Sequence, residues 1–160
     1  METRELHESE LDELLTLYSH MHAADDPLPE RSIIEYIWHE IHDNPYFRYF
    51  GTFVDRKLVS SCTLSVIPNL TRGCRPYGVI ENVVTHSGYR RKGYASHILK
   101  HALSYAWRRG CYKVMLLTGR KSEGIYKFYE SVGFDRHAKQ AFLAKPEKSE
   151  QPHPADPNDA

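Results

Sequence analysis

An α/β fold is predicted for this chain of 160 residues by three observations. The stretch 77–85 is rich in β-branched residues and breaks into a short basic turn, Tyr89-Arg90-Arg91-Lys92-Gly93. Beyond the turn, Ala95, Ile98, Leu99, Ala102, Leu103 and Ala106 recur at the spacing of a helix with one buried face. A further apolar run over 113–118 follows Gly110, so strand, helix and strand form a βαβ unit.

The other elements follow in order. Residues 3–6 read as a short first strand. Ser9 can cap the next helix, with Asp12 at the capping-box position and Leu11, Leu14, Leu15 and Tyr18 on one face. That helix ends before Asp25-Asp26-Pro27. A second carries Ile33, Ile34, Ile37, Trp38 and Ile41 and stops near Asn44-Pro45, because the residue before proline avoids the helical region. Runs 46–54 and 58–67 are aromatic and β-branched and are joined by Asp55-Arg56-Lys57, which predicts a hairpin. Residues 69–75 form the next turn, 123–132 the last helix with Gly133 as its stop, and 139–144 a final strand. One domain is expected over 1–144. From residue 145 the composition turns to Pro, Glu, Lys, Ser, Asp and Asn, which predicts a disordered tail over 145–160.

The helix beginning at Tyr94 presents unpaired N–H groups and the positive end of its dipole next to a basic, glycine-bearing turn, an arrangement suited to a phosphate. A Walker loop and a dinucleotide fingerprint are both absent. The spacing Arg90-x-x-Gly93-x-Ala95 instead resembles the Arg/Gln-x-x-Gly-x-Gly/Ala motif of the GCN5-related N-acetyltransferase (GNAT) superfamily. Residues 125–134, Ile-Tyr-Lys-Phe-Tyr-Glu-Ser-Val-Gly-Phe, are similar to the same family's second signature. The resemblance implies an α/β GNAT acyl-CoA N-acyltransferase fold: a mixed, strongly twisted sheet of six to seven strands flanked by helices on both sides.

It also implies acetyl-CoA as cosubstrate, with the acetyl group passing directly to a primary amine in a ternary complex. By resemblance, main-chain groups of Val83, Val84 and Thr85 would hold the pantetheine arm. The backbone N–H groups of Arg91, Lys92, Gly93, Tyr94, Ala95 and Ser96 would cradle the pyrophosphate, with the Arg90 side chain at the motif's first position. Tyr129 stands at the position of the general acid for the departing thiolate, and a phenol of pKa about 10 matches a thiolate of similar basicity. Glu81 is the candidate base; strand alternation turns one of Glu81 and Asn82 to the cleft and the other away. Ser122 stands where the family usually has an Asn that contacts coenzyme A.

Glu81-Asn82-Val83 and Gly110-Cys111-Tyr112-Lys113 resemble stretches of glucosamine-6-phosphate N-acetyltransferases, which points to a small phosphorylated amine. Aminoalkylphosphonate and protein acetyltransferases share the scaffold, and a silent coenzyme A sensor is the reading from another class. Met21, His22, Asp25, Asp26 and the turn 69–75, with Arg72 and Arg75, would shape the acceptor site. A homodimer is common in the family.

Lys and Arg number 21 and so do Asp and Glu, so no global field favours nucleic acid or an anionic membrane. Three cysteines without metal-type spacing suit a reducing compartment, and no apolar run would span a bilayer, so a cytoplasmic protein is expected. No metal site is expected. His97 and His101 share a helix face but read as solvated surface, as does His39-Glu40-Ile41-His42. Asn69-Leu70-Thr71 reads as turn chemistry, and Cys111 as a small buried residue at a strand entrance.

Overall fold

A computed structural model describes residues 1–21 and 26–146. Five strands form one sheet in the order β1-β2-β3-β4-β5: β1 (Glu2–Glu5), β2 (Phe47–Val54), β3 (Lys57–Ile67), β4 (Tyr77–Thr85) and β5 (Val114–Leu116). Neighbours run antiparallel up to β4, and β4 pairs in parallel with β5. The helices are α1 (Leu11–Tyr18), α2 (Arg31–Asp43), a distorted single turn α3 (Thr71–Cys74), α4 (Tyr94–Arg108) and α5 (Glu123–Val132).

The β2–β3 hairpin closes through Asp55 and Arg56, both at positive φ (50° and 64°), the backbone of a two-residue turn that matches the twist of its strands. Opposite Thr52 and Phe53 the register shifts on β3, where Val59 is left without a partner on β2. Phe50 and Phe53 are three residues apart on β2, so strand alternation packs Phe50 on one face of the sheet and Phe53 on the other. On the Phe53 side lie α1 and α2, with Leu11, Leu14, Leu17 and Trp38 against Leu58 and Val84. On the Phe50 side lie α4 and α5: Ile98, Leu99, Ala102 and Ala106 are fully buried against Leu64 and Ile80. Burying each of the larger of these side chains contributes about 1.5–3 kcal/mol, and the alanines let the helix sit close to the sheet.

Several expectations are corrected. The sheet has five strands among the described residues, because 139–144 pairs with nothing: Phe142 and Leu143 stand 92% and 77% exposed. Strand propensity alone cannot hold a strand whose backbone has no ladder partner. β5 is limited to three residues. The first helix is not opened by Ser9 and Asp12; a short turn over Glu8–Glu10 precedes it, and Glu10 accepts the His7 N–H at 2.7 Å. Glu10 is fixed there by both terminal nitrogens of Arg4, at 2.8 and 2.6 Å, whereas Asp12 turns to Arg31. On α2 only Trp38 is buried, while Ile37 stays exposed. Asn69 does serve its turn, donating to the carbonyls of Thr71 and Arg75, and Cys111 is buried. From residue 147 the expected tail lies outside the described residues.

His97 is exposed as expected, but His101 packs edge-on against Phe50 with ring centroids 4.9 Å apart. Burial, with smaller help from Arg108 and His97, holds its pKa below the ordinary histidine value. The unfolded chain then binds this proton more readily. Stability from His101 is complete above the ordinary value of about 6.5 and is lost as pH falls from there through the depressed folded value. Urea unfolding of His101→Phe is expected to show a shallower loss of stability below that value than wild type. An identical pH dependence would contradict this packing.

Candidate active site

The site begins where the sheet comes apart. β4 pairs with β5 only at Gly78↔Val114, Val79↔Met115 and Ile80↔Leu116, after which β4 continues to Thr85 without a partner on that side. The resulting cleft has a volume of about 850 Å³ and is lined by Glu81 to Thr85, by the turn into α4 and by one face of α5. The His86 N–H goes to Val59 on β3. Antiparallel alternation therefore turns the backbone of Val84 to β3 as well, and leaves the main-chain groups of Val83 and Thr85 for the cleft. The side chain of Val84 is buried on the α1 face.

Asn82 sits at φ 52° where the register with β3 shifts between Ser61 and Thr63. This bulge corrects the expected alternation: both Glu81 and Asn82 line the cleft. Partial desolvation raises the pKa of the Glu81 carboxyl above its ordinary value.

After β4 the chain makes a short turn over Ser87–Tyr89, where His86 Nδ1 accepts the Gly88 N–H at 3.1 Å. Arg91 (φ 60°) and Gly93 (φ 86°) then take left-handed conformations on either side of Lys92. The helix proper starts with the His97 N–H on the Gly93 carbonyl at 3.0 Å. Among the described residues, no acceptor takes the N–H of Arg91, Lys92, Gly93, Tyr94, Ala95 or Ser96. Consecutive free amides around left-handed residues at a helix N-terminus make a concave anion site. A Cβ built on Gly93 meets nothing within 4 Å, so the open side of this cradle faces the cleft it lines.

Two cationic side chains of the turn bond to main-chain carbonyls. Arg90 lines the cleft, but its guanidinium donates to the carbonyls of Thr85 (3.3 Å) and His20 (2.7 Å). Lys92 is outside the lining; its ammonium donates to the Gly88 carbonyl at 3.1 Å and lies 5.1 Å from the Tyr89 ring centre. The free amides of the backbone form the cradle.

Across the cleft, α5 presents Ile125, Phe128 and Tyr129. Tyr129 is half-buried between Phe128 and Phe134, at ring distances of 4.9 and 6.2 Å. Burial raises its pKa above the ordinary phenol value, Arg120 opposes the rise and the Glu81 charge adds to it. The three groups therefore feel one another in one space. Ser122 is the residue before α5 and its carbonyl accepts from Ile125 and Tyr126, but it is not part of the lining.

Met21 is in the cleft wall, and His22 and Asp25 lie outside the described residues. Neither Asp26 nor the turn 69–75 contributes to the lining. Arg75 instead donates to the carbonyls of Gly110 and Cys111 at 3.4 Å, and Arg72 lies over Tyr112, at the other end of β4. His20 and Arg120 line the cleft although the sequence reading gave them no role there. The place of Arg120, between a strand bordering the cleft and the helix bearing Tyr129, was the available signal.

The model of the Acetyltransferase (GNAT) family matches residues 9–134. The chain belongs to this family. A glucosamine 6-phosphate N-acetyltransferase of Trypanosoma brucei brucei is 32% identical over 143 residues, covering 89% of this chain and 95% of the relative. A solved structure from Agrobacterium tumefaciens str. C58, described as an acetyltransferase, superposes with a TM-score of 0.85 at 36% identity and covers 91% of this chain and all of that one. Glucosamine-6-phosphate N-acetyltransferase from Arabidopsis thaliana, at 20% identity and a TM-score of 0.77, shares the fold over 91% of this chain and 97% of its own. The GNAT fold implies acetyl-CoA as cosubstrate, and the chain is an N-acetyltransferase. Among the described residues no three His, Cys, Asp or Glu side chains are grouped to hold a metal ion, and no helix is long and apolar enough to cross a membrane.

Proposed function

We propose that residues 1–144 form a single domain that moves the acetyl group of acetyl-CoA directly to the primary amine of a small amino sugar phosphate, with glucosamine 6-phosphate as the first candidate. The observation that carries the reading is the run of six free amides from Arg91 to Ser96. It opens onto the unpaired edge of β4, with Glu81 and Tyr129 facing the same cleft. In this arrangement the amides hold the pyrophosphate. The main-chain groups of Val83 and Thr85 align the pantetheine arm, and the Val83 N–H polarises the thioester carbonyl.

Glu81, its pKa raised, takes the proton of the incoming ammonium. The freed amine attacks the thioester carbon, the carbon–sulfur bond breaks, Tyr129 protonates the thiolate, and the surplus proton on the acylated nitrogen restores the Tyr129 phenol. Both reactants occupy the cleft together and no covalent acetyl-enzyme is needed. The amino sugar phosphate is supported by the name of the 32% identical relative, which aligns over nearly its whole length. Free Cys62, Cys74 and Cys111 suit a reducing cytoplasm.

Thiol release from acetyl-CoA, measured across amino sugar phosphates, aminoglycosides, polyamines, aminophosphonates and peptides, tests the reading. Release with glucosamine 6-phosphate is expected. Release confined to peptides would overturn the acceptor class, and binding without release from any amine would favour the sensor.

A homodimer is part of the same proposal. The segment 139–144 is strand-forming in composition, carries the exposed Phe142 and Leu143, and has no ladder partner among the described residues. β5 is the last strand of the sheet and offers an open edge of the kind a second copy can complete. Light scattering is expected to give a dimer for wild type and a monomer for Phe142→Glu. A wild-type monomer at micromolar concentration would contradict it.

A further inference from the structure

The turn that ends α1 is bonded from both sides of the cleft. From the cradle, Arg90 Nη2 donates to the His20 carbonyl at 2.7 Å while its Nε is anchored on Thr85 at 3.3 Å. From the loop between β5 and α5, Arg120 Nη2 donates to the Met21 carbonyl at 3.1 Å, and its own N–H rests on Thr118 Oγ1 at 3.2 Å. The His20 ring also lies 4.1 Å from that of His86, the residue that caps the turn into the cradle. His20 and Met21 wall the cleft.

Carbonyls at a helix C-terminus lack intrahelical donors and attract cations. Here the N–H groups of His20 and Met21 still close the last turn, on Leu17 and Tyr18, while their carbonyls point away to the two arginines. The wall is thus held by guanidinium groups from the phosphate-binding side and from the loop that leads into the helix of Tyr129. An anion seated on the amides of Arg91 to Ser96 fixes the chain that carries Arg90.

We propose that Arg90 and Arg120 form a two-point clasp through which binding of acetyl-CoA sets the acceptor wall at His20 and Met21, with Arg120 a positioning residue for the transfer. The clasp rests on the cofactor site proposed above. Binding on one side then strengthens binding on the other, and by linkage the factor is the same in both directions. Arg120 is also close enough to Tyr129 to oppose the upward shift of its pKa, so the residue that fixes the wall stands beside the acid.

Hydrogen exchange of the full-length chain, followed on peptides covering residues 18–21 with and without saturating acetyl-CoA, tests the clasp. In wild type the cofactor is expected to slow exchange of the His20 and Met21 amides by about tenfold or more. In Arg120→Ala the slowing should fall below about twofold while calorimetric affinity for acetyl-CoA stays within about threefold. In steady-state kinetics Arg120→Ala should raise the KM for glucosamine 6-phosphate by about tenfold with the KM for acetyl-CoA little changed, and Arg120→Lys should recover part of the loss. Equal protection in Arg120→Ala and wild type would overturn the clasp.

If wild type fails to bind acetyl-CoA, the cofactor reading fails, and the clasp is judged in the ligand-free protein. There Arg90→Ala and Arg120→Ala must each speed exchange of the same amides, and unchanged exchange would overturn it. If glucosamine 6-phosphate is not acetylated, only the acceptor reading falls and the exchange result still decides.

Discussion

Gly93→Asp is expected to remove acetyl-CoA binding, with calorimetric affinity falling by more than about 100-fold. Two effects add. Gly93 holds φ 86°, where an L side chain costs about 1–2 kcal/mol. The added carboxylate then projects into space that no protein atom occupies, beside six N–H groups aimed at an anion. Gly93→Ala separates the two, since it carries the backbone strain without the charge. Its loss should be about 30-fold at most, the cost of the strain alone. Equal losses in the two variants would mean that distortion of the loop, and not the anion site, is being measured. Unchanged affinity in Gly93→Asp would remove the pyrophosphate from the cradle altogether.

Tyr129→Phe is expected to lower kcat by about 100-fold while leaving affinity for acetyl-CoA within about twofold. The ring stays packed between Phe128 and Phe134, and only the hydroxyl is lost. Because burial raises its pKa, Tyr129 stays protonated and able to donate throughout the neutral range. In the proposed mechanism Glu81 governs the opposite limb of the pH profile. It acts deprotonated, so kcat falls as the pH drops through its pKa, and desolvation moves that limb above the ordinary carboxylate value. Glu81→Gln should abolish the limb together with most of the rate. Wild-type turnover in Tyr129→Phe would assign the proton to another donor.

Local chemistry explains what could be read from the chain. The hairpin turn, the proline stop after α2, the glycine ends of α4 and α5 and the periodic face of α4 are each set by a few neighbouring residues. The cradle was equally legible, because a helix N-terminus and its amides follow from where the apolar period begins. The bulge at Asn82 was not, since it depends on a register shift against β3, distant in sequence, and no residue type announces it. Nor was the fate of Arg90. The sequence marks it only as the first position of the motif, whereas its partner is the carbonyl of His20, in the turn after α1 seventy residues earlier. Arg120 was overlooked for the same reason, as its partner is Met21. The strand expected over 139–144 has the composition for pairing but pairs with no strand among the described residues, which composition cannot reveal.

Calorimetric titration of the wild-type chain with acetyl-CoA, followed on the same sample by thiol release on addition of glucosamine 6-phosphate, tests most directly that the cleft between β4 and β5 is an acetyl-transfer site. Saturable binding, then release of one thiol for each amine acetylated, is the predicted result. Absence of binding would contradict the assignment of the amides from Arg91 to Ser96 to the cofactor, and with it the site built around them.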